Sequence, residues 1–333
     1  MTVPDRFRAF RIRNPHQAAI EQIALAELSA GELLIKVAWS GVNYKDALAG
    51  TGLGKILRTF PLVGGIDVGG WVVESRDARF REGDAVLVTG SGLSETRDGG
   101  YSEYARLQAD WAVPLPAGLS LREAMGIGTA GFTAALCLWR MLSVGQQAAM
   151  GPIVVTGATG GVGMLAIDIF SKAGFEMHAI TGKPEHFDAL IALGARQCID
   201  RSGLFLGQRP LEAATWAGAV DNVGGELLSG LTRMIKPWGA IASCGLAGGT
   251  ELHTTVMPFI IRGISLLGIN SSATPFEVRS DLWQRLAGEW RPQHLEKIVT
   301  REVGLDDLSE VFATLMAGGA YGRTVVRIGG DQR

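Results

Sequence analysis

Thr156-Gly157-Ala158-Thr159-Gly160-Gly161-Val162-Gly163 is the segment whose residue types and spacing best suit chemistry, and that chemistry is phosphate binding. Glycines let the backbone turn tightly and bring its N–H groups against an anion with no Cβ in the way. The apolar run Ile153, Val154, Val155 leads in, and Val162, Leu165, Ala166, Ile169 and Phe170 lead out at helical spacing. Such a loop opens a helix whose unpaired N–H groups and positive dipole end face a pyrophosphate. The spacing is a variant of G-x-G-x-x-G, with Ala158 in the first position followed by Gly160 and Gly163. A bare match is as often a structural turn as a nucleotide loop, so its surroundings decide.

Those surroundings point to a phosphorylated dinucleotide. The next strand-like run, Phe175 to Thr181, ends in Thr181-Gly182-Lys183. An NAD-binding unit places an acid about 20 residues past the glycines, where it accepts a hydrogen bond from the ribose 2′-OH. Here a glycine and a lysine stand instead, which leaves room for a 2′-phosphate and attracts it. The combination favours NADP(H) over a lysine that merely caps a strand at the surface. Arg196 could supply a second charge, or could simply be a solvated arginine.

The elements that would position these residues follow from the apolar periodicity. Up to about residue 120 the chain shows short β-like runs, Glu32 to Trp39, Gly70 to Glu74 and Ala85 to Thr89, separated by glycine and proline turns. From about Ser120 to Gly268 strands alternate with helices, which implies a parallel sheet covered on both faces. The expected strands there are 153–157, 175–181, 197–200, 217–221, 240–244 and 264–269; the helices are 161–173, 185–193, 226–235 and 255–262. Two helices around 276–289 and 305–317 precede a closing strand, 323–328, expected to rejoin the N-terminal part. The fold class is α/β, in two domains.

Composition narrows the function classes. A net charge of -2 over 333 residues offers no electrostatic case for nucleic acid or an anionic membrane. No run reads as long and apolar enough to span a bilayer, and the arginine-rich start lacks the apolar core of a signal peptide. Cys137, Cys198 and Cys244 are widely separated and odd in number, so they read as reduced thiols in a reducing, cytoplasmic compartment.

Several further segments occur in one order: Asn43-Tyr44-Lys45-Asp46, Gly65-Ile66-Asp67, Gly99-Gly100-Tyr101-Ser102-Glu103-Tyr104, Gly128-Thr129-Ala130-Gly131-Phe132-Thr133-Ala134, the glycine loop, and Cys244-Gly245-Leu246-Ala247-Gly248-Gly249. Over essentially its whole length the chain resembles the zinc-free quinone oxidoreductase branch of the medium-chain dehydrogenase/reductase superfamily, and within it the NADPH-dependent acrylyl-CoA reductases. The resemblance implies a GroES-like β domain over residues 1–120, completed by about 271–333, and a Rossmann NADPH-binding domain over 121–270. It also implies a site in the cleft between them and a homodimer that pairs Rossmann sheets edge to edge. Carried over position by position, it places Asn43 and Tyr44 nearest the nicotinamide, with Tyr44 touching cofactor or donating a proton. Water is the alternative donor, and a turn with a packed aromatic is the plain alternative for the pair. Thr129 and Thr133 open a helix after a glycine, where hydroxyls either face the cofactor or act as ordinary caps. The remaining cofactor positions are Thr159, Gly160, Gly161, Val162, Thr181, Gly182, Lys183, Arg196, Leu246, Ile260 and Ser271. Asp46 and Asp67 read as structural acids.

Zinc chemistry is not expected. A catalytic zinc needs three protein ligands; the zinc relatives carry Gly-His-Glu where this chain has Gly65-Ile66-Asp67, and isoleucine cannot ligate a metal. The five histidines, His16, His178, His186, His253 and His294, are scattered. Metal-free hydride transfer suits a carbon–carbon double bond conjugated to a carbonyl. The expected function is therefore NADPH-dependent reduction of activated alkenes, with acryloyl-CoA-like enoyl thioesters leading and free enones also possible acceptors. The alternatives are NADPH:quinone oxidoreduction and an NADPH-binding sensor or structural protein with incidental turnover. Departures from the family pattern are expected on the substrate side, where Ser91 and Asp98 replace tryptophans.

Overall fold

A computed structural model describes residues 3–330, and its backbone divides into two compact units. The first comprises the chain up to Thr129 with Ser271–Ala287 and the segment from Leu295 onward; the second comprises Ala130–Asn270 and Gly288–His294.

In the second unit six parallel strands lie in the order Ala195–Asp200, Met177–Thr181, Ile153–Thr156, Trp216–Asp221, Ile235–Ser243, Ser265–Gly268. Numbered along the chain this is 3-2-1-4-5-6, the doubly wound order of dinucleotide-binding sheets. Ile153–Thr156 and Trp216–Asp221 are buried throughout, so they read as unbroken apolar runs and not as alternating ones. Ala219, Leu231 and Ile241 are among the residues that close the core on one face. The sheet reverses direction of growth between the strands ending at Thr156 and Asp221, and an open sheet of this kind holds its ligand at that point.

The first unit is built around the strand Leu33–Val42, which pairs antiparallel with Asp67–Ser75 and Tyr104–Leu107. The closing strand, Arg323–Arg327, does return to it, with Val326 opposite Ser40. A hairpin of Phe7–Asn14 and Gln17–Ile23 was not anticipated. Arginines interleaved with Phe7, Ala9 and Phe10 obscure its period, and buried Arg11 is paired with Glu27 at 2.6 Å. Nor was the helix Tyr44–Thr51 expected, which turns the Asn43-Tyr44 segment from a bend into a helix start.

The helix Leu121–Ser143 is a core helix: by length and composition alone its 23 residues could cross a membrane, but 78 % of its most apolar window is buried within the protein. Burial accounts for that composition. The helix is also broken at Gly128, whose φ of 50° and ψ of -158° lie outside the helical region. A Cβ there would stand 2.6 Å from both Asp67 Oδ2 and Arg323 Nη2, so glycine is required on two counts.

Candidate functional site

At the switch point of the second unit a buried polar hub fixes the strand ends. Thr156 Oγ1 donates to Asp221 Oδ1 at 2.7 Å and accepts the N–H of Asn222 at 2.9 Å. Asn222 Nδ2 donates to the carbonyl of Thr156, and Gly224 N–H donates to Asp221 Oδ2. Burial pushes the Asp221 carboxyl up, while its hydrogen bonds from Thr156, Gly224 and Val223 pull the other way. The glycine loop begins on this platform. Gly157 has φ +59°, and a Cβ on Gly163 would lie 2.5 Å from the carbonyl oxygen of Gly157. The helix Gly161–Lys172 can therefore approach its strand only with a glycine at 163. Gly160 is its N-cap, with Gly161 and Val162 half-buried in the first turn.

The loop and the next strand end meet directly. The hydroxyls of Thr159 and Thr181, both buried, are 3.2 Å apart, and Lys183 N–H donates to Thr181 Oγ1. Lys183 has its ammonium pulled down by burial, partly offset by Glu185. Arg196 does not join this group. In the parallel pairing Thr181 stands opposite Asp200, and Arg196 lies at the other end of that strand. At about 3.3 Å per residue the separation is on the order of 13 Å. The cation that does join is Arg201, whose Nη2 is 3.1 Å from where a Cβ of Gly182 would be. The Asp200 carboxylate turns away to accept Ser202 N–H at 2.9 Å. Leu246 and Ile260 are 57 % and 72 % exposed, so neither is a core residue. Thr133 is buried in the helix that leaves the Gly128 break.

The first unit carries the other group. Asn43 precedes the helix Tyr44–Thr51, and Asp46 accepts the Asn43 backbone N–H at 2.9 Å, half of a capping box. The Asn43 side chain is engaged on every side. Its Nδ2 donates to Asp67 Oδ2 at 2.8 Å and to Asp46 Oδ2 at 3.2 Å, and its Oδ1 accepts from Arg323 Nη1 at 3.0 Å. Asp67, wholly buried, also takes the backbone N–H of Thr129 at 3.1 Å and its hydroxyl at 2.6 Å. Arg323 Nη2 is 3.6 Å from Asp67, while its remaining donors go to the carbonyls of Val42, Gly126 and Met125. Burial lowers the Arg323 guanidinium, against the pull of Asp67. Burial, then the charge of Asp67, raises the Asp46 carboxyl to about 7.

Tyr44 differs from its neighbours: it is 40 % exposed, and among the described residues its hydroxyl has no hydrogen-bond partner. Ser271, the other expected cofactor position of this unit, has its carbonyl held by Arg279 Nη2 at 2.8 Å. Thr129 serves Asp67 and is not a free cap. Arg201, Arg279 and Arg323 escaped the sequence reading, since each acts on residues distant in the chain and carries no local spacing signal.

These residues do not fit a catalytic zinc. Ile66 offers no ligand, and the Asp67 carboxylate is taken up by Asn43, Thr129 and Arg323. Among the described residues no group of three or more His, Cys, Asp or Glu stands close enough to hold a metal ion.

The expected substrate-side departures separate. Ser91 lines an open cavity and has φ 54°. Asp98 does not: it is 4 % exposed and accepts Ser29 N–H and Oγ at 2.6 Å and Val63 N–H at 2.7 Å. It holds two backbone segments together, so its replacement of a tryptophan leaves the cavity wall untouched.

A doubly wound dinucleotide-type unit, together with a β unit whose Asn43 is held by Asp46, Asp67 and Arg323, defines a class, the medium-chain dehydrogenases and reductases. Residues 29–117 match the alcohol dehydrogenase GroES-like domain and residues 161–288 match the zinc-binding dehydrogenase family. Acrylyl-CoA reductase AcuI of Ruegeria pomeroyi is 43 % identical over 313 residues, covering 94 % of each chain. YhfP of Bacillus subtilis, named for the quinone oxidoreductases, is 46 % identical over 310 residues, 93 % of this chain and 94 % of its own. The crystal structure of the Salmonella enterica yhdH oxidoreductase in complex with NADP superposes with a TM-score of 0.93 at 41 % identity, over 97 % of this chain and 99 % of that one. The YhfP structure, with NAD bound, gives a TM-score of 0.93 at 44 % identity over 97 % and 99 %. The chain belongs to the medium-chain dehydrogenase/reductase superfamily, in the zinc-free quinone oxidoreductase branch that includes the acrylyl-CoA reductases.

Proposed function

We propose that this protein is an NADPH-dependent reductase of activated carbon–carbon double bonds, with acryloyl-CoA-like enoyl thioesters as its acceptors. The observation that carries the cofactor choice is the end of the second parallel strand. There Thr181-Gly182-Lys183 faces Arg201, so two cations flank a glycine where an NAD-specific unit would carry an acid. The bound dinucleotide would supply the hydride. Gly163 lets the helix start pack against the Gly157 turn, Gly160 closes that turn with its own N–H on the Gly157 carbonyl, and the backbone N–H groups of Thr159, Gly161 and Val162 are proposed to meet the pyrophosphate. Thr133, Leu246, Ile260 and Ser271 are proposed to border the nicotinamide half, in keeping with their place in the family motifs.

Tyr44 is the proposed reacting group of the protein. Its exposed, unpartnered hydroxyl can donate to the carbonyl oxygen on which charge gathers as an alkene conjugated to it is reduced, or can hand over a proton. Asn43 is a positioning residue: with both amide hydrogens and its oxygen engaged, it orients the helix start that carries Tyr44.

The assay follows NADPH and NADH oxidation with acryloyl-CoA, crotonyl-CoA, a free enone and a quinone. Turnover of the thioesters with NADPH is expected. Preference for the quinone would favour the activity for which YhfP is named, preference for NADH would sink the roles of Lys183 and Arg201, and no turnover would leave a dinucleotide-binding protein.

The protein is further proposed to work in the cytoplasm as a homodimer. All three cysteines are unpaired thiols, which suits a reducing compartment. The strand Ser265–Gly268 leaves one edge of the second unit's sheet open, and exposed Trp238, Val256 and Ile261 lie in the segments that flank it. A second copy would cover both.

A further inference from the structure

The first unit has an open cavity of about 450 Å³ whose charges do not cancel as its composition implies. It is lined by two carboxylates, Glu95 and Asp110, two arginines, Arg58 and Arg279, and two aromatic side chains, Trp111 and Phe276. Both carboxylates are committed to cations outside the lining. Glu95 is ion-paired with Lys45, and Asp110 takes Arg79 Nη2 at 2.6 Å. The arginines are committed differently. Buried Arg279 donates to the carbonyls of Thr89, Ser271 and Ser272. Arg58 is exposed, and its guanidinium has no hydrogen bond or ion pair among the described residues. Arg79 is shared with Asp77, so the cavity and its ion-pair partners together retain a single positive charge, that of Arg58 or Arg279, beside two aromatic faces, Phe276 being 39 % exposed.

We propose that this cavity holds the 3′-phosphorylated ADP end of a coenzyme A thioester, the purine stacked on Trp111 or Phe276 and the phosphates met by Arg58. The proposal rests on the thioester assignment above and extends it from the reacting acyl group to the handle that delivers it. Stacking on an aromatic face suits a purine, and an arginine fork suits phosphate oxygens. The cavity is also tied to the proposed reacting tyrosine. Glu95 in its wall holds Lys45, the residue after Tyr44, and Ser272 in its wall lies within 3.4 Å of Glu95 Oε1. A ligand anchored here would have its flexible arm free to run toward that helix start. Ser91 contributes only a hydroxymethyl group to the wall, which leaves the space open.

The test uses the full-length protein with NADPH at saturation, so that the dinucleotide site is occupied. Titrated by calorimetry, adenosine 3′,5′-bisphosphate should bind wild type, and Arg58→Glu should weaken that binding about tenfold or more, with Arg58→Gln weakening it to a lesser degree. In steady state the same variants should raise KM for acryloyl-CoA in the same order, by about tenfold for Arg58→Glu, while leaving kcat/KM for acryloyl-pantetheine, which lacks the nucleotide, unchanged. Equal KM for the two thioesters in wild type, or variants that impair both alike, would overturn the proposal. Binding of the bisphosphate without turnover of either thioester would overturn the thioester reductase assignment and leave the nucleotide cavity standing.

Discussion

Replacing Asp46 with asparagine should alter how stability depends on pH more than it alters stability at any one pH. Burial and the neighbouring Asp67 raise the Asp46 carboxyl from 3.8 to about 7. In the unfolded chain the same carboxyl titrates at its ordinary value. Between those values the folded protein holds a proton that the unfolded chain has released, so stability must fall as pH rises through the window. The gap is about three pH units, which at about 1.36 kcal/mol each amounts to roughly 4 kcal/mol, fully present below the lower value and gone above the higher. Asparagine cannot ionise. The difference in unfolding free energy, variant minus wild type, should therefore shift by about 3–4 kcal/mol toward the variant between about pH 4.5 and pH 8.5. The hydrogen bonds from Ile66 and Asn43 that asparagine makes less well cost the same at both values and cancel. Urea unfolding followed by tryptophan fluorescence at the two pH values measures it. A difference constant within about 1 kcal/mol would show that Asp46 does not hold a proton in the folded protein, and the charge balance with Asp67 and Arg323 would have to be redrawn.

Other substitutions probe the rest of the site. Lys183→Asp or Arg201→Asp should lower kcat/KM with NADPH by about 1–3 kcal/mol of binding, or 5- to 150-fold, while Arg196→Asp does nothing; kinetics with both dinucleotides give the answer. Tyr44→Phe should cost about 100-fold in kcat with no loss of thermal stability, because the side chain is exposed, whereas Asn43→Ala should lower the melting temperature as well. Gly163→Ala would force a Cβ to 2.5 Å from the Gly157 carbonyl, so a loss of about 1–3 kcal/mol in stability and weaker dinucleotide binding by fluorescence titration are expected. Asp98→Ala would strand the N–H groups of Ser29 and Val63 and cost about 1–3 kcal/mol in denaturation, with KM for every acceptor unchanged.

The parts of this protein legible in its sequence are those encoded by short-range spacing. Gly157 to Gly163 must lie between a strand and a helix to make sense, and they do; Lys183 follows its strand directly, so its position at the strand end could be counted off. Arg196 shows where counting fails. It is near Lys183 in composition and in sequence, but a parallel neighbour strand carries it to the far end of the sheet and brings Arg201 up instead. Asp98 shows the same in another form. A residue type that looked like a change in a binding surface is turned inward, because two unpaired backbone N–H groups need an acceptor there. The Asn43 corner was legible as a polar motif but not as a closed one. Its completion depends on Asp67 and Arg323, whose pairing is set by strand register and by no local pattern.

The bond from Arg323 Nη1 to the Val42 carbonyl spans 281 residues of chain. A ribosome making this protein releases Val42 and Asn43 long before the arginine that neutralises their surroundings exists. The stretch from Ala130 to Asn270 is complete much earlier and has a core of its own, so it can fold while the first unit waits. Until the closing strand docks, Asp67 has its hydroxyl and amide partners but not its cation, and the corner that orients Tyr44 lacks its last clamp. Docking of Arg323–Arg327 is therefore the event that turns a folded dinucleotide-type unit with an unfinished companion into a competent reductase. Truncating the chain before it should leave the second unit able to form and the first unable to close.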